Sequence, residues 1–197
     1  MTHPLAFTWP YAAAFWVVFV WAFFPEFAVI RKAQRSGAAK SAADAGSMRV
    51  ILVGNQLAMF LGFGAPWVFP RAAMPDPVAF FWIGLALLIA GSLLRRHCFR
   101  VLGKFFTGAV AVQSDHAVID QGAYRWVRHP SYTGGIVMFA GIGIALGNWI
   151  SVAVLTLIPI AAYSYRVRVE ERALLESLGE PYRAYMQTRK RFVPFVV

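Results

Sequence analysis

The chain has 197 residues, 59% of them hydrophobic and only 14% charged, and a formal net charge of +10. Soluble domains run nearer roughly 45–50% apolar and about 25% charged, so disorder, a disulfide scaffold and an ordinary cytosolic enzyme are excluded. A single cysteine, Cys98, rules out an internal disulfide and a cysteine-rich metal site, which leaves a polytopic membrane protein.

A bilayer core of about 30 Å needs roughly 20 apolar helical residues. Residues 11–30 meet that need, carry only Glu26, and stop at Arg31-Lys32. They lack a basic leader and a small-residue cleavage site, so they read as a retained span rather than a signal peptide. An Ala/Gly/Ser-rich connector at 36–47 follows, then a second span at 50–69 with Gly62, Gly64 and Pro66 near its far end. The third span, 77–94, stops at Arg95-Arg96. Residues 133–165 hold no charge at all, too long a run for one ordinary span. Gly147-Asn148 near the middle makes it a tight helical hairpin with arms of about 15 residues. From Tyr163 to about Arg191 the pattern is a helix leaving the membrane, with Val167, Leu174, Leu175 and Leu178 as its apolar stripe. Gly179-Glu180-Pro181 ends or breaks that helix.

The expected fold is therefore all-α: five transmembrane helices, the last two a hairpin, and a cytoplasmic C-terminal helix. It forms one integral-membrane domain over 1–197, with spans one to three in 1–112 and the chemistry in 113–197. With five spans, the segments after spans one, three and five share a side. Those segments hold every Lys and Arg except Arg71. Positive-inside topology then puts the N-terminus outside and the C-terminus in the cytoplasm. The charge is topological, and nucleic acid is not an expected partner. Trp9, Tyr11, Trp67 and Trp149 read as interfacial anchors.

Polarity gathers in two cytoplasmic-side stretches, Gln113 to Tyr132 and Tyr165 to Glu171. Ionisable residues are scarce in such a chain, so this clustering marks the site. Each residue also has a plain alternative. Arg125, Arg128, Arg166 and Arg168 stand at membrane ends, where snorkelling is the default. His129 before Pro130 suits a helix cap, and His97 and His116 suit solvated loops. Glu26 suits either the interface or a substrate entry. Glu170 and Glu171 are successive helical residues about 100° apart, so one faces a pocket and the other water or an arginine. Arg166 and Glu170 are four apart and share a face, as a salt bridge or as a site offering both charges. No G-x-S-x-G, H-E-x-x-H, G-x-x-x-x-G-K-[ST] or G-x-G-x-x-G occurs, and His116 and His129 lack a third metal ligand. Gly141-Ile142-Gly143 reads as close helix packing.

The string H-A-V-I-D-Q-G-A-Y-R-W-V-R-H-P-S-Y-T-G at 116–134, the R-V-R-V-E-E at 166–171, the Tyr182/Tyr185 pair and the F-V-P-F after it resemble the isoprenylcysteine carboxyl methyltransferase family. Phospholipid methyltransferases and other small prokaryotic membrane methyltransferases share the pattern. The resemblance covers residues 113–191. It implies S-adenosylmethionine as cofactor, S-adenosylhomocysteine as product, and a lipophilic or lipidated acceptor, nominally a prenylcysteine-like carboxylate. It implies cofactor contacts from Gln113, His116, Ala117, Val118, Ile119, Tyr124, His129, Pro130, Ser131, Tyr132 and Glu170, several through backbone groups. Arg166 matches the position facing the acceptor, and Arg128 and Glu171 match the pattern as further catalytic candidates. An ionised carboxylate needs no general base. An amine or thiol acceptor would need one, with His129 or Glu171 as the residues to supply it. Basic cytoplasmic loops suit a small protein of a prokaryotic inner membrane, where another small lipophilic acid, a thiol, an amine or a phospholipid is the alternative acceptor. The rivals are an NADPH-using membrane reductase of sterol- or quinone-like substrates and a non-catalytic membrane partner. Oligomeric state is left open.

Overall fold

In a computed structural model the described residues are 3–35, 46–103 and 118–193. They form α1 (Tyr11–Arg35), α2 (Ser47–Val68), α3 (Pro77–Leu102), α4 (Pro130–Ala145), α5 (Trp149–Leu178) and α6 (Glu180–Thr188), with short 3-10 turns between. No sheet forms among the described residues; Ala73–Asn148 and Val127–Lys190 make isolated β-bridges. Helices α2, α3 and α5 are long and apolar enough to cross a membrane. The shorter apolar stretches are Tyr11–Phe24 and Pro130–Ala145.

The tightest crossing joins α3 to α4. A Cβ on Gly84 would stand 2.3 Å from the Ala145 nitrogen, and one on Gly141 would stand 2.7 Å from the Gly84 oxygen. Only glycine lets two backbones approach so closely, as expected for the glycine pair in this run. Helix α2 lies along α5, where Leu155 fills the space over Gly62 and the buried Ser151 Oγ donates to the Gly62 carbonyl at 2.7 Å. Helix α1 docks through rings: Phe15 and Trp16 meet Phe63 at 6.1 and 5.9 Å. Tyr11 sets its ring 5.2 Å from the buried Phe81. Trp9 and Trp149 are exposed.

The hairpin falls at the expected dipeptide. Gly147 has φ +67, and Asn148 caps α5 by accepting from the Ile150 and Ser151 nitrogens at 3.0 and 3.2 Å. Asn148 also donates to the Phe69 carbonyl at 2.9 Å, tying the turn to the end of α2.

Two expected helix ends move. Helix α3 does not stop at Leu94 but runs on through Arg95, Arg96, His97 and Arg100, because arginine is a good helix former and its charge ends only the apolar stretch. His97, expected in a solvated loop, therefore sits in a helix, half-buried, its Nε2 packed over Gly122. Helix α5 continues unbroken from Trp149 past Tyr165 to Leu178, so the helix expected from Tyr163 is its second half. Gly179, with φ +60, then ends it.

Pro25 lies within α1 and has no N–H for the Trp21 carbonyl one turn back. Helix α3 fills the gap: Arg96 Nη2 donates to the Trp21 oxygen at 2.6 Å, and Ser92 Oγ donates to the adjacent Ala22 oxygen at 3.0 Å.

Candidate active site

The polar ends of α3, α4 and α5 converge with α6 and residues 188–193. Pro130, at the first position of α4, suits a site with no intrahelical donor to lose. It fixes the preceding His129 outside the helix, and the His129 ring turns to Glu171 rather than capping α4.

Glu170 and Glu171 diverge as their helical spacing requires. Glu171, 3% exposed, is enclosed by cations. Arg128 Nε and Nη2 both reach its Oε1 at 2.9 Å, and His129 Nε2 stands 3.2 Å from the same oxygen. Arg191 Nη2 and Nε reach Oε2 at 2.8 and 3.1 Å. Arg128 also donates to the Met186 carbonyl at 3.0 Å and to that of Arg189. Backbone joins in: the Arg128 nitrogen donates to the Lys190 oxygen at 2.8 Å and the His129 nitrogen to the Arg191 oxygen at 3.0 Å. Thr133 Oγ1 donates to the Phe192 oxygen at 2.8 Å. Residues 189–192 are thus strapped across the start of α4, with Glu171 as the buckle.

Glu170 faces the other way and is half-buried. Tyr132 Oη donates to its Oε2 at 2.8 Å and accepts from Arg166 Nε at 3.3 Å. The Tyr132 hydroxyl therefore stands between two residues that were expected to pair directly or to share a site. Arg166 is 3% exposed and also donates from Nη1 to Ser47 Oγ of α2 at 2.6 Å. Around Tyr132 lie the rings of Tyr163 at 5.1 Å and His129 at 5.8 Å.

Tyr124 is buried, and its carbonyl accepts from Tyr185 Oη at 2.6 Å. Burial pushes its phenol far above the ordinary tyrosine range, with the Cys98 side chain and Glu170 adding to the shift, so it stays a neutral donor. Ser131 is buried, and Arg95 Nη1 donates to its carbonyl at 2.7 Å and its hydroxyl at 3.3 Å. Val118 and Ile119 are half-buried ahead of the Gly122–Arg125 turn. Gln113, His116 and Ala117 lie outside the described residues, as does the side chain of Glu26.

Three partners were not singled out from sequence. Arg95 looked like a membrane stop, Arg191 like a tail charge and Ser47 like part of a connector. Each acts across the fold, and nothing local in the sequence marks that.

The sequence pattern of the isoprenylcysteine carboxyl methyltransferase (ICMT) family matches residues 82–176. A probable protein-S-isoprenylcysteine O-methyltransferase of Oryza sativa subsp. indica is 26% identical over 152 residues, covering 74% of this chain and 80% of that one. The protein-S-isoprenylcysteine O-methyltransferase of Tribolium castaneum is 34% identical over 116 residues, covering 58% of this chain and 41% of that one. Among solved structures, the eukaryotic intramembrane Ras methyltransferase ICMT superposes with a TM-score of 0.60 at 29% identity. The alignment covers 74% of this chain and 52% of that structure, so the chain spans about half of it. In sequence over residues 82–176 and in fold over 74% of its length, the chain is similar to the isoprenylcysteine carboxyl methyltransferase family.

Proposed function

We propose that this protein transfers the methyl group of S-adenosylmethionine to a lipophilic acceptor at the cytoplasmic face of a membrane, nominally a prenylcysteine-like carboxylate. The observation that carries the reading is the Glu170–Tyr132–Arg166 chain, a carboxylate and a guanidinium joined through one hydroxyl. The donor set fits the cofactor. Among the described residues Tyr132 is the one hydrogen-bond donor to Glu170, which leaves Oε1 to accept from a ribose hydroxyl or an ammonium. Tyr132, Tyr163 and His129 supply apolar walls and π-faces suited to a cation.

S-adenosylmethionine supplies an electrophilic methyl on a positively charged sulfur. The chain's own residues bind and align. His129 to Tyr132, Tyr124 and Glu170 hold one side, together with Val118, Ile119, Gln113, His116 and Ala117. Arg166, buried one turn before Glu170, holds an ionised carboxylate by a charge-assisted hydrogen bond. Such alignment of reactants is worth about 7–11 kcal/mol without proton transfer. Arg128 and Glu171 position: their mutual contacts keep His129 and residues 189–192 against α4.

The same reading includes five spans, with α1 and α4 crossing beside the three longer helices. It includes an outside N-terminus, a prokaryotic inner membrane, and a single domain in which 1–112 anchors and shapes the acceptor path while 113–197 binds cofactor. Calorimetry of S-adenosylhomocysteine with detergent-purified protein tests it. The expected Kd is in the micromolar range, weakened about tenfold or more by Glu170→Ala, which removes a hydrogen bond to a charged group. His129→Ala is expected to weaken it as well. No binding by a well-folded sample overturns the reading.

A further inference from the structure

Arg95 closes the apolar stretch of α3, where a guanidinium ordinarily snorkels out to headgroups. Here it reaches across the first turn of α4 instead. Its Nη1 donates to the Ser131 carbonyl at 2.7 Å and to the Ser131 hydroxyl at 3.3 Å, two oxygens of one buried residue. The turn is shaped to admit it. Gly134 is needed for the helix crossing in any case, since a Cβ there would stand 2.9 Å from the Gly91 oxygen. Gly135 is not. The three atoms nearest a Cβ there are side-chain atoms: Oη and Cε2 of Tyr163 at 3.0 and 3.1 Å, and Nη1 of Arg95 at 3.2 Å. Glycine is a poor helix former, and at 135 it makes room for those two side chains rather than for a backbone. Both then bear on Tyr132. Ser131 is its chain neighbour, and the Tyr163 ring lies 5.1 Å from its own.

We infer that Arg95 is a positioning residue: by holding Ser131 from α3 it fixes the first turn of α4, so that the Tyr132 hydroxyl stays between Glu170 and Arg166. The inference rests on the methyl-transfer reading above and adds to it a residue from outside the two polar stretches. Helix ends fray, and this helix end carries the hydroxyl on which the two charges of the site meet. A bond from α3 to the second residue of α4 opposes that fraying. Successive helical residues point about 100° apart, so a guanidinium bonded to Ser131 acts on Tyr132 through the backbone.

The test is a double-mutant cycle read by calorimetry of S-adenosylhomocysteine with the full chain in detergent. Arg95→Met is expected to weaken binding about tenfold in the wild type, as much as Tyr132→Phe does. In the Tyr132→Phe background, where there is no hydroxyl to place, Arg95→Met is expected to weaken it by less than about twofold more. Arg95→Lys, whose ammonium can still donate to Ser131, is expected to recover most of the loss. A role in packing alone would lower the melting temperature and act equally in both backgrounds. Should Arg95→Met not fold, Arg95→Gln runs the same cycle. Unchanged affinity on loss of the guanidinium, or an equal loss with and without the Tyr132 hydroxyl, overturns this inference alone. A folded wild type that does not bind S-adenosylhomocysteine overturns it together with the methyl-transfer reading.

Discussion

Glu171 allows a structural role to be separated from a chemical one. Replacing it with Ala strips Arg128 of its acid partner where that side chain is only 9% exposed. Removing one member of a buried pair costs about 3–5 kcal/mol, because the remaining charge stays out of water. Arg191 is 39% exposed on its side chain, so solvent screens its share, and Arg191→Ala alone costs about 0–1 kcal/mol. For a chain of this size each kcal/mol moves Tm by about 2–4 °C. Glu171→Ala is therefore expected to lower Tm by about 6–20 °C, and Arg191→Ala by no more than about 4 °C. Thermal unfolding in detergent with and without S-adenosylhomocysteine reads both. The double change Arg128→Met/Glu171→Met is expected to recover much of the loss, since apolar replacement of a buried pair is often neutral. A Glu171→Ala protein with unchanged Tm and kcat reduced a hundredfold would refute the positioning role and make Glu171 a catalytic group.

Tyr132→Phe removes the hydroxyl shared by Glu170 and Arg166. It is expected to lower both S-adenosylhomocysteine affinity and kcat by about tenfold, each a lost bond to a charged group, with Tm held. Arg96→Ala strips the donor from the Trp21 carbonyl and is expected to cost about 1 kcal/mol. Pro25→Ala, which returns an N–H to that carbonyl, is expected to cancel the cost, read from Tm of the single and double variants. Burial pushes the Tyr185 phenol from 10.0 up to about 12. Its neutral form is favoured in the folded chain, so the stability it adds is full below pH 10 and is lost as pH rises from 10 toward 12. Tyr185→Phe is expected to lessen the fall of Tm across that window, with the remainder left to the other buried phenols such as Tyr124.

The hairpin was legible because glycine at positive φ and an asparagine cap are chemistry written into two adjacent residues, Gly147 and Asn148. The divergence of Glu170 from Glu171 followed from helical rotation alone. Helix ends were misplaced at Leu94 and Tyr165 because hydropathy marks where apolar character stops, whereas a helix stops where backbone geometry changes, as at Gly179. Arg191 and Arg95 were illegible for another reason. Their partners lie 20 and 36 residues away, and no local pattern encodes a contact made by folding.

The strap across the start of α4 orders events during synthesis. Arg128, His129 and Thr133 take partners near the C-terminus, with 58 to 61 residues separating the side-chain pairs. The hairpin of α4 and α5 lies between them in the chain, so the strap forms only once residues on both sides of the hairpin have been made. Because the entropic cost of closing a loop grows only slowly with its length, extra residues in the Gly147-Asn148 turn should weaken the strap far less than loss of Arg128 would.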